Sequence, residues 1–240
     1  SYMSTILGGL YNTAQGEYAS IGGGMYSHSY GDYSTINAGG WHWCVGDYCT
    51  VAGGTYNFIY AAYSTIGGGQ SHRIYAPYGS IPGGHNSWVY AYAGTVAGGM
   101  YGTAGGYSST VGGGRGSRAI GSYGTVSGGY YSANYATYGT IGGGSWSWLY
   151  GPYGTINGGH NHYVYGYSGT VVGGMYNTVY GDLGTVGGGW YSRSTGALAS
   201  IGGGFWNYAT GYGSTLGGGA YSHAGGTFAT IGGGAYNGCY

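Results

Sequence analysis

Gly16-Glu17-Tyr18-Ala19-Ser20-Ile21-Gly22-Gly23-Gly24-Met25-Tyr26-Ser27-His28-Ser29-Tyr30 places one isoleucine before three glycines and sets tyrosines around them. The aliphatic residue that precedes the glycines returns as Ile6, Ile21, Ile36, Val51, Ile66, Ile81, Val96 and Val111. It continues as Val126, Ile141, Ile156, Val171, Val186, Ile201, Leu216 and Ile231. The spacing is 15 every time, so the 240 residues are sixteen units with no insertion. Disordered Gly/Tyr sequence has no reason to hold such a register, and a fixed period of this kind is the mark of stacked repeats.

Counting positions within the unit from Gly16, position 9 is Gly in all sixteen units, position 8 is Gly in fifteen with Ala38 the exception, and position 5 is always Thr or Ser. Each glycine in a helix interior costs roughly 1 kcal/mol against alanine, so the unit is extended rather than helical. The pattern predicts an all-β, parallel β-solenoid (β-roll) with two strands per coil. Tyr-Ser-Thr-Ile is one strand, the glycine run turns, Tyr-Asn-x-Ala-Tyr is the second, and Gly or Ala at position 1 turns again. Parallel strands stack at roughly 4.8 Å, giving a single domain over 1–240 about 75 Å long. Period-2 alternation sends positions 4, 6, 12 and 14 inward and positions 3, 5, 11, 13 and 15 outward. The interior is then thin and the bulky residues lie outside.

Composition excludes several functions. With 64 glycines, only 3% charged residues and a net charge of zero, there is no basic surface for nucleic acid. No stretch approaches the roughly 18 uninterrupted apolar residues of a spanning helix, so membrane insertion is not expected. Collagen is excluded because runs such as Ile21-Gly22-Gly23-Gly24 break its three-residue period.

The string Tyr11-Asn12-Thr13-Ala14-Gln15-Gly16-Glu17-Tyr18-Ala19-Ser20-Ile21-Gly22, repeated with variation, resembles the left-handed parallel β-roll repeats in the heads of trimeric autotransporter adhesins. Related glycine-rich repeats occur in bacterial surface proteins and phage fibres. The likeness is carried by x-Ala-x-Gly-x-x-Ser and the Ile-Gly turn, and it covers the whole chain. It implies a β-roll at a cell surface and an adhesin-type role. The chain departs from the family in its triple-glycine turn and in lacking a coiled-coil stalk or anchor, so trimerisation is not implied.

Catalysis finds no constellation. All four acids, Glu17, Asp32, Asp47 and Asp182, fall at position 2, in a turn, and do not form the paired carboxylates of a cleft. The first three occupy consecutive coils, so Glu17, Asp32 and Asp47 are either a solvated row or a weak Ca²⁺ site. His160 and His162, and His42 with Cys44, have zinc-like spacings but no third ligand; His42, His72 and His162 replace the Asn or Ser of position 12, which reads as a hydrogen-bonded interior row. Hydroxyls recur without a positioned His and Asp, and the glycine runs precede no helix, so neither nucleophilic catalysis nor phosphate binding is expected, and no cofactor. Cys44 and Cys49 both point inward on opposing strands, where a disulfide and a buried free pair are both feasible, and Cys239 is left odd.

Aromatics are the strongest functional signal. Position 11 is Tyr or Trp in twelve units and position 15 is Tyr in nine. Together with position 13 they nominate a self-association face: Tyr11, Tyr26, Trp41, Trp43, Tyr56, Trp88, Tyr101, Tyr131, Trp146, Trp148, Tyr176, Tyr191, Trp206, Tyr221 and Tyr236. Contiguous exposed apolar area of this extent marks an interface. A second period of 75 residues pairs Met100 with Met175 and Arg118 with Arg193, recurring about every 24 Å along a stack of coils. The expected function is an extracellular or cell-surface structural rod, not an enzyme, that associates with identical subunits into a fibre, sheath or surface layer. The alternative is an ice-binding or carbohydrate-binding module, the first using the Ser/Thr row at position 5.

Overall fold

The computed structural model describes residues 3–240. They form a β-solenoid without helices, in coils of fifteen residues with two strands each. The coils divide into two compact units, one running to Ser122 and one from Tyr123 to Tyr240.

In the first unit the odd-numbered strands, β1 (Thr5–Ile6) to β15 (Thr110–Val111), hold positions 5 and 6, and the even-numbered ones, β2 (Thr13–Ala14) to β16 (Arg118–Ala119), hold positions 13 and 14. Each set pairs in parallel at an offset of one repeat, as in Thr35↔Thr50 and Ile36↔Val51. The second unit repeats the plan from β17 (Thr125–Val126) and β18 (Ala133–Asn134) to β31 (Thr230–Ile231) and β32 (Gly238–Cys239), with pairs such as Thr140↔Thr155 and Ile141↔Ile156.

The core is a double layer of small and aliphatic side chains. Position 6 (Ile21, Ile36, Val51, Ile141, Ile156) and position 14 (Ile59, Ile74, Val89, Leu149, Val164) are fully buried, with positions 4 and 12 beside them. The alternation read from the sequence therefore holds on both strands.

Strand length does not hold. Both strands are two residues long, because the residue at positions 3 and 11 has left-handed backbone in every described coil, with φ of 56° at Tyr18, 53° at Tyr26 and 61° at Trp41. Position 11 is thus a corner that precedes its strand, not an outward strand residue. Its N–H turns back to the preceding coil, as in Tyr26 N to Leu10 O at 2.9 Å. Strand amides instead point forward, as in Thr35 N to Cys49 O at 2.8 Å. Position 3 behaves alike, with Tyr33 N donating to Glu17 O at 2.7 Å.

The constant glycine at position 9 has two physical causes. Its φ is strongly positive, 92° at Gly54 and 88° at Gly144, and a Cβ on Gly54 would run into the carbonyl oxygen of Gly69 one coil on. Position 8 has no such cause: nothing lies within 4 Å of a Cβ built on Gly23, Gly68 or Gly143.

Candidate functional site

Left-handed backbone at a tyrosine costs roughly 1–2 kcal/mol, and here it recurs in register, so the rings leave each coil in the same direction and meet the ring above. In the first unit Tyr11, Tyr26, Trp41 and Tyr56 stack at position 11 with centroids 5.1, 4.4 and 5.7 Å apart. In the second unit Tyr176, Tyr191, Trp206, Tyr221 and Tyr236 do the same, and Tyr131 stacks on Trp146 at 5.1 Å. A stacked pair contributes about 0.5–1.5 kcal/mol beyond area burial, of the same order as the backbone penalty. The row therefore offsets much of the strain that its own positions impose.

Position 15 builds a second row, Tyr60–Tyr75–Tyr90 in the first unit and Tyr135–Tyr150–Tyr165–Tyr180 in the second. Burial, then the neighbouring tyrosines, raises the phenol pKa of Tyr150 and Tyr165 above the ordinary value. Position 13 is less uniform: Trp43 meets Phe58 edge-on at 5.5 Å, whereas Trp148 stacks on Tyr163 at 5.0 Å. Of the nominated face, Tyr26, Trp88, Tyr101, Trp148 and Tyr176 are half-buried and the others exposed. The nominated residues do not share one strand face; they occupy a corner and the adjoining strand.

A third row lies outside that face. At position 3, Tyr18, Tyr33, Tyr48, Tyr63 and Tyr78 stack through five consecutive coils. Eight tyrosines at that position were the available signal.

The polar candidates serve the backbone. The N–H of Glu17 donates to Asp32 Oδ1 at 2.7 Å, that of Asp32 to Asp47 Oδ1 at 2.8 Å, and that of Tyr167 to Asp182 Oδ1 at 2.8 Å. Asp32, Asp47 and Asp182 thus each accept an amide from the coil before. Position 12 is a polar ladder, broken at Gly102. Asn57 Oδ1 accepts the N–H of His72 at 3.0 Å, and its Nδ2 donates to Gly53 O and Gly69 O at 3.0 and 3.1 Å. A histidine fills this place incompletely. His42 Nδ1 accepts from Asn57 N at 3.3 Å and His162 Nδ1 from Asn177 N at 3.2 Å, but the buried Nε2 atoms of His42, His72 and His162 find no hydrogen-bond partner. Burial lowers the pKa of all three, that of His162 to about 4.

His160 shares a 2.7 Å hydrogen bond with Ser145 Oγ. Among the described residues no group of three or more His, Cys, Asp or Glu is arranged to hold a metal ion, and no helix is long and apolar enough to cross a membrane.

Cys44 and Cys49 form a disulfide with Cα atoms 5.9 Å apart, both fully buried, while Cys239 is a free thiol. Alkylation of the unreduced chain is expected to label Cys239 alone, and alkylation after reduction in denaturant all three. Labelling of Cys44 or Cys49 before reduction contradicts the bridge.

No family model matches the chain, and no curated protein matches it.

Proposed function

We propose that the chain is an extracellular structural element that associates with identical subunits into a fibre, sheath or surface layer, and that it is not an enzyme. The observation that carries this reading is the set of exposed and half-buried aromatic rows that run from coil to coil in each unit. Zero net charge offers no long-range repulsion against association. The rows also weigh against glycan stacking, because rings layered at about 5 Å spend their faces on each other and present edges and hydroxyls outward. The Ser/Thr row at position 5 supports the ice-binding alternative only through its regular register, Thr95↔Thr110 for example.

Trp146 is 41% exposed, so burying the rest of such a ring on association removes roughly 60–100 Å² of surface, on the order of 2 kcal/mol before ordering costs; a threonine offers less. Trp146 and Trp148 lie 6.1 Å apart on the outside of one coil. Replacing both with Ser is expected to shift sedimentation toward monomer while leaving the β circular-dichroism signal intact. Replacing Thr140 and Thr155 with Ser is expected to change little. A wild-type chain that remains monomeric at neutral pH defeats the proposal, and assemblies dissolved only by the threonine changes move the contact to position 5.

A further inference from the structure

The tyrosine row at position 3 takes no part in the assembly reading, and its geometry points to a different chemistry. Tyr18, Tyr33, Tyr48, Tyr63 and Tyr78 are spaced 4.9, 5.0, 4.9 and 5.2 Å between ring centroids, with planes 14°, 3°, 5° and 7° apart. Their backbone φ runs only from 53° to 60°, so each ring leaves its coil in one direction. All five are 46–53% exposed, which gives an oxidant access to the hydroxyl edge and leaves each ring room to tilt.

We propose that this row is a site of oxidative tyrosine coupling, in which neighbouring rings fifteen residues apart are joined through ring carbons and so staple coil to coil. A phenol that gives up one electron and its O–H proton becomes a neutral phenoxyl, with spin density on the two carbons ortho to oxygen. Two adjacent phenoxyls pair those electrons in one carbon–carbon bond. Each ring then passes its ortho hydrogen to its own oxygen and regains a phenol. Two electrons and two protons have left the pair. A peroxide working in one-electron steps, as through a peroxidase, accepts both and becomes two waters.

Neighbour coupling is favoured by proximity. A ring held about 5 Å away acts at an effective concentration of about a millimolar or more, far above that of other chains in dilute solution. The row also contains nothing but tyrosine, whereas the position 11 row is interrupted by Trp41. The same geometry recurs in the second unit at Tyr135, Tyr150, Tyr165 and Tyr180, with spacings of 5.1, 5.0 and 5.0 Å. The inference does not rest on self-association, since every bond it requires forms within one chain.

The test is photo-oxidation of the dilute full chain, Cys239 first alkylated, with tris(bipyridine)ruthenium(II) and persulfate. An equal mixture of ¹⁴N and ¹⁵N chains is used, and the linked peptides are mapped by mass spectrometry. Links joining tyrosines fifteen apart in one row, each of a single isotope, are expected. In Tyr48→Phe, which keeps the stacked ring but no phenol, the Tyr33–Tyr48 and Tyr48–Tyr63 links should disappear. The Tyr18–Tyr33 and Tyr63–Tyr78 links should persist. The inference is overturned by an absence of dityrosine, by links scattered among rows as in the urea-unfolded chain, or by links of which about half join light to heavy chains, the share that coupling between chains gives in an equal mixture.

Discussion

Acidification from pH 7 to pH 4 is expected to lower the stability of this protein by several kcal/mol, through histidines that the fold keeps neutral. His162 is fully buried, with Nδ1 accepting the Asn177 amide and Nε2 unpartnered. Burial holds its pKa at about 4 against an ordinary 6.5, with His160 adding to the lowering. The unfolded chain therefore takes up its proton near pH 6.5, while the folded chain resists protonation until about pH 4. Between those values the unfolded state binds more protons, so stability falls as pH falls; it is fully present above 6.5 and levels off below 4. The 2.5-unit difference, 6.5 less 4, corresponds to roughly 3 kcal/mol at about 1.4 kcal/mol per unit. His42 and His72 shift in the same direction for the same leading cause. Urea titrations at a series of pH values should show this loss. A variant carrying His42→Asn, His72→Asn and His162→Asn should lose much less, since asparagine already fills the same place at Asn57, Asn177 and Asn207. A wild-type midpoint that is flat from pH 7 to pH 4, or an equal fall in the variant, refutes the assignment.

The ladder also marks how far the sequence could be read. The period of 15 and the alternation around Ile21 or Ile141 were sufficient for the coil, its two strands and its buried faces, because side-chain direction in a strand follows parity alone. What parity cannot register is a residue that leaves the strand. Tyr26 and Trp41 are aromatic residues favoured in strands, yet they sit at φ of 53° and 61°; Asn86, Asn161 and Gly116 at the same position, residues tolerant of left-handed backbone, were the hint. Reading position 11 as strand merged a corner row with a strand row and left the position 3 row out of the nominated face. The acids at position 2 were legible as a turn feature. Their role as acceptors for amides of the preceding coil follows from a turn geometry that spacing does not encode. The glycine at position 8 stays unexplained by the fold, since Ala38 occupies it and its neighbours offer open space.

The sharpest consequence of so thin a core is expected at Ile141. Its side chain is fully buried, in register with Val126 on one side and Ile156 on the other. Those neighbours are aliphatic, and the ladder amides around them are already bonded to carbonyls, as Thr140 N is to Gly154 O. A carboxylate introduced there has no counter-charge and must either stay ionised without solvation or take up a proton. Together with the lost isoleucine packing, Ile141→Asp should therefore cost about 5 kcal/mol or more. Thr140 is the informative control: it is the adjacent residue on the same two-residue strand, but it points outward and is exposed. Thr140→Asp adds the same charge to the same strand and should cost within about 1 kcal/mol. Thermal melts followed by circular dichroism distinguish the two. Because each coil contacts only its neighbours, the loss should appear first in the unit that begins at Tyr123, as an early transition rather than a uniform shift. Equal melting of the two variants would mean that the strand's inner and outer faces differ little in solvation, and the buried-core account of the solenoid would have to be abandoned.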